Sequence, residues 1–201
     1  MRFVLASASP ARLTVLRNAG VDPVVRVSGV DEDAVAAALP DPTPGELVTA
    51  LAIAKAEAIA GDERDAVVVG CDSMLLTPDG DVEGKPGTVE VARERWRRMA
   101  GRSGTLLTGH AVLRVLDGVV AERAADHQAT AVRFGTPSEA ELEAYLASGE
   151  PLGVAGAFTL DGRGGWFVDG IDGDPSSVIG ISLPLTRRLL GRVGVEMSDI
   201  W

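Results

Sequence analysis

The sequence predicts an α/β fold with a mixed twisted sheet flanked by helices, and two features of the chain indicate it. Short apolar runs of strand length alternate with segments whose apolar residues recur at helical spacing. Two Asp-Gly pairs, Asp79-Gly80 and Asp117-Gly118, lie between apolar runs and are typical of hairpin turns. No internal repeat, low-complexity tract or long linker divides the 201 residues, so we expect one domain over residues 1–201, with room for two lobes.

The N-terminal part of the chain is predicted to alternate strands and helices. A buried strand over residues 2–6 leads to Ser9 and Pro10, which are typical of an N-cap and of the first helical position. Residues 21–27 predict a second strand, which we expect at the edge of the sheet because Pro23 cannot donate a backbone hydrogen bond.

Residues 44–59 predict a longer helix whose apolar side chains share one face: Leu47, Leu51, Ala54 and Ala58. A short strand over residues 66–69 follows and ends at Gly70-Cys71-Asp72. The later predicted elements are helices over residues 88–100 and 138–147 and from Pro184 onward, strands over residues 106–116 and 119–134, and glycine-rich turns with short strands over residues 149–183. In the helix over residues 88–100, the predicted packing stripe is Val91, Ala92, Trp96 and Met99.

Composition and charge exclude several classes of protein. The apolar runs are far shorter than the roughly 20 residues of a membrane-spanning helix, and the N-terminus lacks a secretory apolar stretch, so we expect a cytoplasmic protein with no membrane partner. The formal net charge of −10 argues against a nucleic-acid polymer as partner, because such partners need a basic face. A small phosphorylated ligand stays compatible, since a few cations focused in one cleft can hold it. The single cysteine, Cys71, excludes an internal disulfide.

The first candidate site lies where the predicted first strand meets the first helix. Ser7, Ser9 and Arg12 surround this junction. Free backbone N–H groups and the positive end of the helix dipole face outward at a helix start, so the segment is a candidate phosphate cradle. The alternative is that Ser9 only caps the helix and Arg12 is a solvated surface residue.

The second candidate is Asp72, directly after the predicted strand over residues 66–69. A carboxylate at the end of a buried strand can bind a divalent cation or accept a proton from water. The alternative is a turn aspartate that accepts from a backbone N–H. We interpret the neighbouring Cys71 as a small core residue, because no histidine lies near it in sequence to activate the thiol.

Two lysines and an acidic cluster are further candidates. Lys85 lies in Gly84-Lys85-Pro86, which is either an anion-binding loop or an ordinary turn. Lys55 interrupts an alanine-rich helical stripe, so its side chain either points inward to an anion or extends to solvent at the core boundary. Glu32 lies in the acidic cluster of residues 31–33. Its carboxylate is either a ligand of Mg²⁺ or Mn²⁺, or it only interacts favourably with the positive end of a helix dipole.

Other common signatures are absent. The glycine-rich stretches contain neither a GxxxxGK[ST] loop nor a GxGxxG fingerprint, and they either line a base pocket or form tight turns. His110 and His127 are too few and too separated for a zinc site, so we interpret them as satisfied or exposed histidines.

Taken together, the motifs resemble the Maf family of nucleotide pyrophosphatases from end to end. The matching segments are, in order, Leu-Ala-Ser-x-Ser-Pro with Arg12, Asp31-Glu32, Leu51-Ala52 with Lys55-Ala56, Gly70-Cys71-Asp72, Gly84-Lys85-Pro86, Ala100-Gly101-Arg102, Thr108-Gly109, Ala155-Gly156-Ala157-Phe158, and Val178-Ile179-Gly180 with Leu183-Pro184-Leu185. The resemblance implies a fold related to the inosine-triphosphate pyrophosphatases, with two lobes around a deep cleft. It also implies divalent-metal-dependent hydrolysis of nucleoside triphosphates between the α and β phosphates, and a homodimer.

Positions that match the family's motifs acquire expected roles. Asp72 corresponds to the proton acceptor, and with Glu32 it is a candidate ligand of Mg²⁺ or Mn²⁺. The expected phosphate-site residues are Ser7, Ser9, Arg12, Lys55 and Lys85. The positively charged members of that set are expected to neutralise charge on the pyrophosphate leaving group. The resemblance leaves both roles of Asp72 open, base and metal ligand.

Three positions associated with substrate choice depart from the family's usual residues. Ala11 replaces the first arginine of Ser-Pro-Arg-Arg, and Ser73 replaces a threonine or glutamine. Asp161 stands where glutamine marks the branch that acts on thymidine and uridine triphosphates, or glutamate the branch that acts on 7-methylguanosine triphosphate. Its carboxylate favours the acidic branch, because it can accept from a guanine-type N–H.

Two functions of different classes follow. The leading hypothesis is a house-cleaning nucleoside triphosphate pyrophosphatase that acts on modified or non-standard nucleotides. The alternative is a nucleotide-binding regulator of cell division or septum formation that does not hydrolyse its ligand. The presence of both Asp72 and Lys85 favours the enzyme.

Overall fold

The computed structural model describes residues 1–201, and its central element is a seven-stranded mixed sheet. The strands are β1 (Arg2–Ala6), β2 (Val24–Val25), β3 (Ala66–Leu76), β4 (Val82–Glu83), β5 (Ser103–Leu116), β6 (Val119–Phe134) and β7 (Val168–Asp172). Their order is β2-β1-β3-β5-β6-β7, with β4 paired to β3. β1 runs parallel to β2 and β3, whereas β4 and β7 are antiparallel to β3 and β6. The predicted mixed α/β class is therefore confirmed.

Seven helices accompany the sheet. They are α1 (Pro10–Asn18), α2 (Glu32–Ala37), α3 (Pro44–Ala60), α4 (Val89–Met99), α5 (Glu139–Ala147), α6 (Pro175–Ile179) and α7 (Leu183–Arg192). Single 3₁₀ turns cover Glu150–Gly153, Ala155–Ala157, Arg163–Phe167 and Met197–Asp199. None of the helices has the length and apolar character needed to cross a bilayer.

Local signals explain most of the element boundaries. Ser9 caps α1 ahead of Pro10, and Ser138 forms with Glu141 the capping box that its spacing predicts for α5. The Asp117-Gly118 pair joins β5 to β6, and both residues have positive φ, at 52° and 81°. Positive φ at both residues is typical of the two-residue turn whose twist matches that of the flanking strands, so this predicted hairpin is confirmed.

Several predicted boundaries were wrong. β2 is limited to two residues at the sheet edge instead of covering 21–27, because Pro23 lacks the backbone donor needed for further pairing. β3 continues from Val69 to Leu76, since β4 pairs with its distal end through Leu75 and Leu76. The short helix α2 was not predicted, and Asp31 caps it.

The chain divides into two compact units. The first comprises Met1–Asp72, Thr108–Gln128 and Gly180–Trp201, and the second comprises Ser73–Leu107 and Ala129–Ile179. The long strands β3, β5 and β6 contribute residues to both units. Each unit has its own apolar core.

In the first unit, α3 packs very closely on β3 and β5. A Cβ atom on Gly70 would lie 2.2 Å from the carbonyl oxygen of Ala52, and one on Gly109 would lie 2.1 Å from that of Val48. Only glycine tolerates such an approach of a helix backbone. The alanine-rich face of α3 is consequently the buried one, formed by Val48, Leu51, Ala52, Lys55, Ala56 and Ile59. Of the predicted face, Leu51 is buried and Leu47 and Ala54 are half-buried, whereas the prediction was wrong for Ala58, which is exposed.

In the second unit, Trp96 of α4 lies at the centre of an aromatic cluster. Its ring meets those of Phe134, Tyr145 and Phe167 edge to face, at centroid distances of 5.8, 6.0 and 5.9 Å. Its Nε1 donates to the carbonyl oxygen of Ala157 at 2.8 Å. The predicted stripe of α4 holds for Ala92, Trp96 and Met99 and was wrong for Val91, which is exposed.

Candidate functional site

Asp72 reaches the helix side of the sheet because of strand alternation. It lies two residues after Gly70 on β3 and therefore faces the same way, toward α3. β1 ends at Ala6, whose partner on β3 is Gly70, so Asp72 lies just beyond the end of the neighbouring strand. Its side chain is only 9% exposed. The carboxylate is thus held in a buried position by a central strand.

Lys55 is the direct partner of this carboxylate. Its Nζ atom lies 2.5 Å from Asp72 Oδ1 and 2.7 Å from Glu32 Oε1. The side chain of Lys55 is 11% exposed, whereas that of Glu32 is 51% exposed. Of the two interpretations of Lys55, the inward orientation is therefore the observed one. The short helix α2 brings Glu32 to this ammonium group, which explains how a distant acidic cluster joins the site.

The electrostatics of Asp72 suit a proton acceptor. Burial raises the pKa of Asp72, and the positive charges of Lys55 and Arg12 lower it in part. Its Oδ1 accepts from Lys55, but its Oδ2 is buried and has no hydrogen-bond partner. A buried oxygen of this kind is costly unless a ligand or a water molecule satisfies it. The site therefore presents one carboxylate oxygen for which the folded chain provides no partner.

Arg12 is buried beside this pair and is firmly held. Its Nη1 donates to Ser7 Oγ at 2.9 Å and to the carbonyl oxygen of Cys71 at 2.8 Å, and its Nε donates to the carbonyl oxygen of Gly180 at 2.8 Å. The alternative of a solvated Arg12 is wrong, since the residue is 8% exposed. Because it contacts Cys71, Arg12 places a fixed positive charge next to Asp72.

The serines have different local functions. Ser7 Oγ accepts from the backbone N–H of Ser9 at 3.2 Å as well as from Arg12. Ser9 is the N-cap of α1, and its Oγ accepts from the backbone N–H of Arg12 at 3.5 Å. Ala11 is half-buried within α1. Ser7 therefore links the strand end to the arginine, and Ser9 shapes the helix start.

Cys71 is a buried core residue although it lies directly before Asp72 in the Gly70-Cys71-Asp72 motif. The residue is completely buried, and burial raises the pKa of its thiol to about 11. The interpretation of Cys71 as a core residue fits this environment. What Cys71 contributes to the site is its backbone carbonyl, which accepts from Arg12.

We expect the thiol of native Cys71 to react very slowly with iodoacetamide at pH 8. With a pKa of about 11, the thiolate fraction at that pH is on the order of 10⁻³, and burial also blocks access. Labelling followed by mass spectrometry should become fast after unfolding in guanidinium. Cys71→Ala should retain turnover; rapid labelling of the native thiol, or loss of activity in that variant, would contradict the assignment.

Three candidates belong to the second compact unit. Lys85 is exposed and follows Gly84, whose carbonyl oxygen accepts from Arg95 Nη1 at 2.7 Å. Arg95 is also paired with the buried carboxylate of Glu83 at 3.1 Å, so the loop before Lys85 is anchored. The other two are Ser73, half-buried on β3, and Asp161, exposed before the 3₁₀ turn Arg163–Phe167.

The structure thus brings six of the predicted residues together in the first unit: Ser7, Ser9, Arg12, Glu32, Lys55 and Asp72. Sequence reasoning missed the carbonyl of Gly180 as an anchor of Arg12. The motif Val178-Ile179-Gly180 was the available signal, and Gly180 has a φ of 142°, which favours glycine. A backbone acceptor carries no side-chain signature, so its role could not be inferred.

Possible metal ligands are few. The structure contains no group of three or more His, Cys, Asp and Glu side chains that could hold an ion. The carboxylates of Glu32 and Asp72 nevertheless converge on one point, because both contact Lys55 Nζ. Two carboxylates are the number that magnesium sites commonly use when substrate phosphates supply further ligands.

Comparison with known proteins gives close relatives. A nucleoside triphosphate pyrophosphatase of Saccharopolyspora erythraea is 69% identical, and the match covers 100% of this chain and 97% of that protein. Proteins with the same name from Rhodococcus opacus (67% identity, 99% and 95% coverage) and Mycolicibacterium gilvum (59%, 100% and 98%) are also similar. Among solved structures, the Staphylococcus aureus Ham1 protein matches at 15% identity with a TM-score of 0.43, over 67% of this chain and 72% of that one. The Maf-like protein family matches residues 2–193, and the chain therefore belongs to that family.

Proposed function

We propose that this chain hydrolyses nucleoside triphosphates between the α and β phosphates, releasing the nucleoside monophosphate and pyrophosphate. The observation that carries the proposal is the buried Asp72, with one oxygen on Lys55 and the other without a partner. The names of the close relatives, nucleoside triphosphate pyrophosphatases, support the same reaction.

The proposed chemistry begins with Asp72 as general base. Its Oδ2 accepts a proton from a water molecule while the water oxygen forms a bond to the α phosphorus. The bond between the α phosphorus and the bridging oxygen breaks, pyrophosphate leaves, and the proton returns from Asp72 to solvent. The raised pKa of Asp72 supports this role, because it makes the carboxylate a stronger base than an ordinary aspartate.

Positive charge supports the departure of pyrophosphate. Arg12 and Lys55 are fixed by buried hydrogen bonds, so they stabilise developing negative charge without reorganising. We assign phosphate binding also to Ser7 and Ser9 at the start of α1, and to Lys85 in its anchored loop. The exposed ammonium group of Lys85 suits it to contact a charged ligand from solvent.

A divalent cation, Mg²⁺ or Mn²⁺, is the proposed cofactor. The residues fit it, because Glu32 offers the hard carboxylate oxygen that such ions prefer, and Oδ2 of Asp72 is the second candidate ligand, as the alternative to its role as the base. When bound, the cation would neutralise phosphate charge. Both carboxylates contact Lys55 Nζ, so they lie close to each other in the same site.

Base selection is assigned to Ala11, Ser73 and Asp161. Asp161 is exposed and ionisable, so it can accept a hydrogen bond from a guanine-type N–H. We therefore propose a modified or non-standard purine nucleotide as the preferred substrate. A cytoplasmic location and a homodimeric assembly remain predictions from the sequence and the family resemblance.

The decisive assay uses a panel of standard and modified nucleoside triphosphates with Mg²⁺ or Mn²⁺ in ¹⁸O-labelled water. We expect monophosphate and pyrophosphate in equal amounts, with the label in the monophosphate, because water attacks the α phosphorus. Label in the pyrophosphate, or release of nucleoside diphosphate and inorganic phosphate, would contradict this reaction. Tight binding of a triphosphate without turnover would favour the non-hydrolytic regulator.

A further inference from the structure

His110 is a buried histidine whose hydrogen bonds define its protonation state. It lies on β5 in the first compact unit and has no solvent exposure. Its Nδ1 is 3.0 Å from the carbonyl oxygen of Thr108, and its Nε2 is 2.8 Å from the backbone nitrogen of Ser182. A carbonyl only accepts and a backbone N–H only donates, so the ring is neutral, with its proton on Nδ1.

Ser182 connects this ring to the segment before α7. Its Oγ caps α7 by accepting from the backbone N–H of Leu185 at 3.1 Å. Two residues earlier, the carbonyl oxygen of Gly180 accepts from Arg12 Nε at 2.8 Å. Residues 180–182 are therefore held by the sheet at one end, through His110, and by Arg12 at the other.

The position of Gly180 leaves little freedom for this segment. Its φ is 142°, and a Cβ atom there would lie 3.2 Å from Arg12 Cγ. Gly180 and the aliphatic part of Arg12 are thus in close contact, and a shift of the segment would move the carbonyl that orients the guanidinium. The guanidinium in turn contacts Ser7 and the carbonyl of Cys71, directly before Asp72.

We propose that His110 is a positioning residue for the phosphate site: its Nε2 fixes Ser182, so that the Gly180 carbonyl holds Arg12 in the orientation that the reaction requires. The expected effect on kcat/KM rests on the proposed function, whereas the expected effect on the orientation of Arg12 does not. An apolar side chain at position 110 would supply neither the acceptor for Ser182 nor the donor for Thr108. The buried N–H of Ser182 would then lack its acceptor, which favours displacement of the segment.

Three variants separate the two hydrogen bonds. Glutamine places its side-chain oxygen near the position of Nε2, so His110→Gln should keep the acceptor for Ser182. Asparagine reaches only the position of Nδ1, so His110→Asn should keep the donor to Thr108 alone. His110→Leu keeps neither. We expect kcat/KM for a triphosphate to fall roughly 10- to 100-fold in His110→Leu and His110→Asn, and to be largely restored in His110→Gln.

Two further measurements distinguish positioning from a general loss of structure. In an Arg12→Lys background, His110→Asn should lower kcat/KM little further, because the arginine through which His110 acts is already absent. Hydrogen exchange of the Arg12 Nε–H, followed by NMR, should accelerate in His110→Asn and stay slow in His110→Gln. This readout needs no turnover, so it tests His110 even if the ¹⁸O assay rejects the hydrolysis.

Circular dichroism and thermal unfolding establish that each variant folds, and His110→Asn replaces His110→Leu if the latter does not. Unchanged Arg12 exchange in a folded His110→Asn would overturn the proposal. Equal losses of kcat/KM in His110→Asn and His110→Gln would also overturn it. So would a loss of kcat/KM on adding His110→Asn to Arg12→Lys that is as large as the loss in the native background.

Discussion

Asp72→Asn should lower the turnover number by about 10²- to 10⁴-fold, the range that a general base contributes, while KM changes far less. The amide keeps the shape of the side chain and loses the basic oxygen. Lys55 retains Glu32 as a partner in the variant, so its buried ammonium group stays neutralised. Steady-state kinetics with the best substrate of the panel measure both constants.

Asp62→Asn is the matched control for this experiment. Asp62 is an exposed aspartate just after α3 in the same compact unit, outside the proposed site. Its substitution should leave both constants unchanged. A parallel loss of turnover and of triphosphate affinity in Asp72→Asn would instead assign the carboxylate to binding. Retention of most turnover would reject Asp72 as the base.

Gly70→Ala should reduce the free energy of unfolding by about 1–3 kcal/mol or more, as overpacking of a tight core does. The added Cβ would lie 2.2 Å from the carbonyl oxygen of Ala52 and 2.9 Å from the backbone nitrogen of Ala56. Both contacts are with helix backbone, so α3 must move away from β3. Because α3 carries Lys55, we expect turnover of the folded fraction to fall as well. Urea unfolding measures the first effect and kinetics below the transition the second.

Gly61→Ala provides the comparison within the same helix region. Gly61 is the C-cap of α3, has a φ of −65°, and a Cβ atom there meets nothing within 4 Å. Its replacement should leave activity intact and stabilise the protein by about 0.4–1 kcal/mol, because alanine restricts the unfolded chain. Equal stability of the Gly70→Ala and Gly61→Ala variants would show that α3 does not require the close approach at Gly70.

Elements with strong local signals could be predicted from the sequence. Ser9-Pro10 at the start of α1, the capping box of Ser138 and Glu141, and the Asp117-Gly118 turn each depend on residues within a few positions of one another. The boundaries that were wrong depend on distant partners. β3 extends to Leu76 because β4 pairs with it, and the buried face of α3 is selected by glycines on two strands.

The residue types of the candidate site were also recognisable, and their arrangement was not. The sequence is consistent with two orientations of Lys55. The close packing of α3 against Gly70 selects the inward one, in which Lys55 contacts Asp72. Glu32 joined only through the unpredicted helix α2. Gly180 and His110 act through a backbone carbonyl and a buried ring nitrogen, and the sequence does not indicate the partners of either group.

By itself, the sequence determined the α/β class, the capped starts of α1 and α5, the family and the chemical nature of the polar groups, because these depend on local spacing and residue identity. Only the tertiary structure decided which groups meet. The contacts of Lys55 with Asp72, of Arg12 with Cys71 and of Arg12 with Gly180 join residues 17, 59 and 168 positions apart. Such distances are set by how closely helices pack on the sheet, and glycine at positions 70 and 109 permits that packing.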